Sequence, residues 1–253
     1  AVSPCLNLVE LLVGLNKLRT AALRNSNIMI VDTSGWITGD GARVLKQAKI
    51  DLLNPDLIVL LQKNNECEHL IKNLYDYRIF RATVSENARE KLQDERKENR
   101  RNALLKYFVN AQTIKLSVKK IKLRNCFYTT GKQLDIPQEL SNIVCFAEKY
   151  SDDEQTLVVL KKNIDSSKRS QIKKAFGKIK ELVLGQEQGV YVGLMNDKNE
   201  YIGVGFIEKI DFVRETIYIY TNTDAQLIRS VSFGIMKYDN ACNEVGYIEP
   251  GLL

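Results

Sequence analysis

No C-x-x-C pair occurs among the five cysteines (Cys5, Cys67, Cys126, Cys145, Cys242), so neither a zinc site nor a disulfide framework is encoded, and a reducing, intracellular compartment is expected. No apolar run approaches the roughly 20 residues that a membrane-crossing helix needs, and no membrane partner is expected. Residues 1–23 lack a basic leader and carry Glu10 within their apolar stretch, unlike a secretory signal. Internal repeats and low-complexity tracts are absent. So is any G-x-x-x-x-G-K-[ST] loop; Gly131-Lys132-Gln133 is a partial echo that reads as a turn. The missing N-K-x-D motif argues against a guanine-reading regulator. The one histidine, His69, lies two residues from Cys67 on a predicted helix, where the two side chains diverge and make no metal site. Ser151-Asp152-Asp153-Glu154 reads as a solvated turn.

What is present fits a globular chain of two modest domains: 253 residues, 44% hydrophobic and 27% charged. The net charge of +6 is unevenly spread. Residues 89–124 hold twelve Lys or Arg against four acids, a net +8, which leaves the rest of the chain at −2 and marks this segment as a local device for an anion. The first residue is Ala1, and the chain is expected to be a cut piece.

Apolar residues at 8, 11, 12, 15, 18 and 22 predict a helix over 8–23 that packs against a sheet. The run 28–32 predicts a strand buried on both faces. A helix over 42–53, stopped by Asn54-Pro55, is followed by a strand at 57–61, a short helix at 66–74 and a strand at 78–84. This alternation predicts an α/β layer with a parallel sheet. Ser85 is expected to cap a polar helix reaching Phe108, in which Leu92 is the only aliphatic residue between 89 and 102. Beyond residue 112 the texture turns to β, with strands near 114–118, 143–146 and 156–160. A basic helix at 167–184 follows, then antiparallel strands at 190–195, 201–207, 216–221 and 227–238 that close a small barrel-like domain. The expected domains are 1–111 and 112–253.

Two segments carry candidate chemistry. The loop Asp32-Thr33-Ser34-Gly35-Trp36-Ile37-Thr38-Gly39-Asp40-Gly41 follows a predicted strand, where open α/β sheets bind ligands. Its glycines allow close backbone approach, and Trp36, the only tryptophan, either stacks on a base or caps the core. Arg96 and Arg100 are four apart on one helical face and either clamp phosphate oxygens or belong to a solvated charged helix. Lys119, Lys120, Lys122 and Arg124 equally suit an RNA backbone or a soluble strand edge.

The order of these segments resembles the polyribonucleotide 5′-hydroxyl-kinase family. The stretch V-D-T-S-G-W-I-T-G-D-G resembles its N/D-T-x-G-W-x-x-G-x-G signature, Val2-Ser3-Pro4 with the following helix resembles the segment before it, and Arg96-x-x-x-Arg100 ahead of Tyr107-Phe108 resembles its lid. Gly193-Leu194, Tyr201-Ile202-Gly203-Val204-Gly205, residues 216–221 and Phe233-Gly234 resemble its C-terminal β domain.

The resemblance implies a partial P-loop-type parallel sheet followed by a smaller, mainly antiparallel β domain. It implies transfer of the ATP γ-phosphate to the 5′-hydroxyl of RNA, with ATP and Mg²⁺ as cofactors bound largely outside this chain. Thr33, Ser34, Gly35, Trp36, Gly39 and Gly41 are then the RNA clasp, and Arg96 and Arg100 the catalytic lid arginines. Protein partners are expected on the C-terminal domain, and a cytoplasmic location, or a nuclear one in a eukaryote. The Walker A loop and the acidic D-x-D-type motif are missing, which truncation explains together, so this chain alone is expected to be inactive. The alternative is a non-catalytic RNA-binding scaffold of an RNA-processing complex.

Overall fold

The computed structural model describes residues 7–89, 92–150, 155–249 and 251–252. The expectations for Val2-Ser3-Pro4 and for 151–154 fall outside these residues. The chain forms two compact units, Ala1–Glu90 and Lys91–Leu253.

The first unit is α/β. Helix α1 (Leu8–Asn25) lies against α2 (Asp40–Leu53), and β1 (Ile58–Gln62), α3 (Glu68–Ile71) and β2 (Ile79–Thr83) follow. β1 and β2 pair in parallel, with Ile58 opposite Ile79 and Gln62 opposite Thr83, as strand–helix–strand alternation demands. A left-handed Asn54 (φ 44°) ends α2 ahead of Pro55. The core is small: Leu60, Cys67, Ile71 and Leu74, with Ile37, Ile50, Ile58, Leu70, Tyr77 and Ile79 packed on it.

Two expectations for this unit are corrected. Residues 28–32 form no strand; Ile28 and Ile30 are 77% and 92% exposed. A strand exists only where a neighbour satisfies its backbone, and β1 and β2 offer a ladder only to each other among the described residues. Helix α1 packs on α2 rather than on a sheet and buries none of its residues.

The second unit opens with helix α4 (Gln93–Tyr107), shorter than the sequence predicts. Its first turn is tied by the Leu92 N–H donating to Glu95 Oε2 (3.0 Å), and Ser85 instead accepts from the Asn87 N–H in a turn. At the end of α4, Leu104 and Phe108 pack with Phe206 and Cys242.

Strands β3 (Gln112–Ser117), β4 (Lys122–Arg124), β9 (Val190–Met195), β10 (Tyr201–Asp211), β11 (Thr216–Thr221), β12 (Ser230–Tyr238) and β13 (Glu244–Tyr247) make one sheet, ordered β13-β12-β9-β10-β11-β3 with β4 parallel on β12. The β9–β10 hairpin turns on residues 196–199, as predicted. Strands β5 (Lys132–Gln133), β6 (Val144–Lys149), β7 (Gln155–Leu160) and β8 (Lys178–Val183) make a second sheet. The two sheets share one core, in which Leu157, Val159 and Leu182 of the smaller meet Val192, Ile217, Ile219 and Val231 of the larger. This mainly antiparallel packing of two sheets, beside the parallel pair of the first unit, agrees with the expected α/β fold class.

The predicted basic helix 167–184 is two elements. Helix α5 (Ser166–Phe176) ends at Gly177 (φ 76°), and β8 then runs parallel to β7. The alternation of Lys178, Lys180 and Leu182 with Ile179, Glu181 and Val183 has the period of a strand, and the left-handed glycine breaks the helix before it.

Candidate functional site

In the first unit the loop between α1 and α2 is held at three points. Ile37 inserts its side chain into the small core, while its carbonyl accepts from His69 Nε2 on α3 at 2.8 Å. From α2, the Lys46 ammonium donates to Thr33 Oγ1 (2.7 Å) and to the Ser34 carbonyl (2.5 Å). Burial, reinforced by Lys49, pushes that ammonium's pKa below the usual lysine value. Gly39 (φ 84°) precedes α2, a backbone conformation that favours glycine, and its carbonyl accepts from the Arg43 N–H.

The anchors leave the rest of the loop outward. Thr33, Ser34, Gly35, Thr38 and Gly39 are exposed, Trp36 and Gly41 half-buried. Ile37, not Trp36, is the residue packed against the small core. The indole thus keeps part of its surface for another ring, and exposed backbone beside it offers hydrogen bonds.

In the second unit Arg96 and Arg100 lie on α4 as the spacing predicts, Arg96 exposed. Arg100 Nε donates to Glu244 Oε1 of β13 at 2.9 Å, with both side chains partly exposed, and Arg101 Nε donates to the Ala241 carbonyl (3.0 Å). The base of the helix is fixed more firmly. Phe108 is buried, with its ring centroid 4.5 Å from that of Phe206 and 5.7 Å from that of Tyr220. The Tyr107 hydroxyl accepts from the Val204 N–H (3.3 Å), and its carbonyl accepts from Asn222. The Tyr-Phe pair is an anchor, and the arginines stand on the part of the helix farther from it.

Sequence reading missed Lys46, His69 and Glu244. Lys46 and His69 act on residues 12 to 32 positions away, a separation at which no local pattern betrays a contact. The only available hint was that His69 is the chain's single histidine. Among the described residues no group of three or more His, Cys, Asp or Glu is placed to hold a metal ion.

Residues 2–110 match the family model of the mRNA cleavage and polyadenylation factor CLP1 P-loop. Over 247 residues the chain is 28% identical to the polyribonucleotide 5′-hydroxyl kinase of Methanocaldococcus jannaschii, covering 95% of this chain and 67% of that kinase. The chain is therefore similar to the polyribonucleotide 5′-hydroxyl kinases over most of its length. A second such kinase, from Pyrococcus abyssi, is 26% identical over 247 residues, covering 95% of this chain and 68% of the kinase. The chain also shares the fold of Clp1p in a solved structure of its extended interface with Pcf11p, with a TM-score of 0.51 and 11% identity. That match covers 90% of this chain and 52% of Clp1p, so the chain spans about half of that protein's length. No helix among the described residues is long and apolar enough to cross a membrane.

Proposed function

We propose that this chain is the RNA-gripping and lid-bearing part of an ATP-dependent polynucleotide 5′-hydroxyl kinase acting in RNA processing. Residues 1–111 are read as the C-terminal part of its P-loop kinase domain and 112–253 as its β-rich domain. The observation that carries this reading is the anchoring of the loop by Ile37, Lys46 and His69, which leaves Thr33, Ser34 and Gly35 exposed and Trp36 half-buried. Trp36 stacks on the terminal base, with Thr33, Ser34, Gly35, Gly39 and Gly41 lining the backbone beside it. Arg96 and Arg100 offset charge on the phosphates during transfer. ATP and Mg²⁺ are held largely by sequence outside this chain, so the chain alone is inactive.

In the intact protein, Trp36→Ala is expected to raise the RNA Kd about tenfold, the scale of a lost base–aromatic stack. Arg100→Ala is expected to lower the single-turnover rate by about 10² to 10³-fold, as loss of a charge-stabilising donor does. An unchanged chemical step in Arg100→Ala removes the lid assignment.

The second reading is a non-catalytic RNA-binding scaffold, with protein partners on the C-terminal domain. The engagement of Arg100 by Glu244 favours it, because a guanidinium already paired is less available to phosphate. Phosphoryl transfer by the intact protein excludes this alternative.

A further inference from the structure

The basic segment 89–124 is not the only concentration of positive charge. Residues 161–180 hold Lys161, Lys162, Lys168, Arg169, Lys173, Lys174, Lys178 and Lys180 against Asp165 alone. The fold arranges them around one helix. Helix α5 is the crossover between the parallel strands β7 and β8, so Lys162 follows the end of β7 and Lys178 opens β8. Ile172 and Phe176 are buried against Val144, Val158 and Leu160, which turns the other side of the helix to solvent.

Four of the eight cations have partners. Arg169 pairs with Glu181 (2.8 Å), Lys168 with Asp165 (3.8 Å) and Lys180 with Glu249 (3.5 Å), while Lys161 Nζ donates to the Ser141 carbonyl. Lys162, Lys173, Lys174 and Lys178 are exposed and have no ion pair among the described residues. The helix dipole accounts for Lys173 and Lys174 in the last turn, but not for Lys162 and Lys178, which lie outside the helix. A helix that is merely solvated carries both signs, as α4 does with Asp94, Glu95 and Glu98 among its arginines. No acid occurs in Ser166–Phe176, and Arg169 and Lys173, four apart, repel each other. An 11-residue helix is about 16 Å long, enough to follow several nucleotide phosphates.

We propose that the outer face of α5, with Lys162 and Lys178, is a second RNA contact that binds the phosphodiester backbone without reading sequence. The inference rests on the RNA reading of the Trp36 loop only for the choice of polyanion. The test is anisotropy binding of a single-stranded 5′-hydroxyl RNA, about 20 nucleotides long, across a salt series. The variants are Lys162→Gln/Lys173→Gln/Lys174→Gln/Lys178→Gln, the same four positions changed to Arg, and Trp36→Ala. The glutamine variant is expected to raise Kd tenfold or more at about 0.1 M salt and to flatten the log–log salt slope by roughly 2 to 3, about 0.7 for each phosphate no longer neutralised.

The arginine variant is expected to retain both affinity and slope. Equal binding by the glutamine variant, with Trp36→Ala weakened, overturns the α5 surface and leaves the loop assignment standing. Loss in the glutamine variant with Trp36→Ala unaffected supports the surface and overturns the loop. If a polyglutamate peptide binds the same lysines and RNA does not displace it, the surface serves an acidic protein and the proposal fails.

Discussion

Strands β7, β9, β11 and β12 of the second unit bury Leu157, Val158, Val192, Ile217, Ile219 and Val231 almost completely, whereas strands β1 and β2 of the first unit leave Val59, Leu61 and Phe80 more than half exposed. Helix α1 adds Val9, Val13, Leu18 and Leu23 to that bare surface, and the loop after it adds Ile28 and Ile30. β1 is apolar on both faces, yet only the face bearing Leu60 is covered. A strand of that composition belongs inside a sheet with helices on both sides. The contrast teaches that the second unit closes its apolar strands into a core, while the first leaves much of its apolar strand and helix surface uncovered.

The sharpest way to break this contrast is to cut into each surface. Ile219→Ala should lower the unfolding free energy by about 3 kcal/mol, because a fully buried side chain leaves a cavity. Leu61→Ser should change it by less than about 0.5 kcal/mol, as an exposed position does. Urea denaturation checks both, and a Leu61→Ser cost as large as that of Ile219→Ala removes the claim that this face is bare.

Within the first unit, the loop's dependence on its anchor is the next test. Lys46→Met keeps the length of the side chain and removes both hydrogen bonds, and should weaken RNA binding severalfold, about 1 kcal/mol, with little change in the melting temperature. RNA affinity indistinguishable from wild type shows that the loop holds its shape without the ammonium.

The smallest effect concerns acid stability. Hydrogen bonds from Arg81 and Gln62 hold the Glu68 carboxyl at a pKa of about 2, well below the usual carboxylate value. The folded-state pKa is depressed, so this contribution is complete above the usual carboxylate range and is lost as pH falls from about 4.5 towards 2. Glu68→Gln should therefore show a shallower fall of the denaturation midpoint across that window. An identical pH profile contradicts the pairing.

Much of this organisation was legible in the chain because it depends on local periodicity. The apolar spacing of 8–22, the Asn54-Pro55 stop and the Asn196–Asn199 turn each place an element within a few residues of where it lies. What failed depended on neighbours. Ile28 to Asp32 has the composition of a buried strand but no partner to pair with, and residues 178–183 were absorbed into a helix because Gly177 was not weighed as a stop. At the candidate site, the residue types of the loop and of α4 were visible, while Lys46, His69 and Glu244 were not, since their contacts span 12 to 144 positions. The helix there was already legible as basic, while the flanking of α5 by Lys162 and Lys178 follows from the β7–α5–β8 crossover.

Trp36 is the only tryptophan, so its emission reports on the loop alone. Titrating the chain with a 5′-hydroxyl RNA oligonucleotide and following that emission tests most directly whether the loop receives an RNA end. Saturable quenching that disappears in excess salt more slowly than simple charge attraction does is the predicted result, because stacking is not screened. Emission unchanged at RNA concentrations where binding is complete by anisotropy would contradict the account.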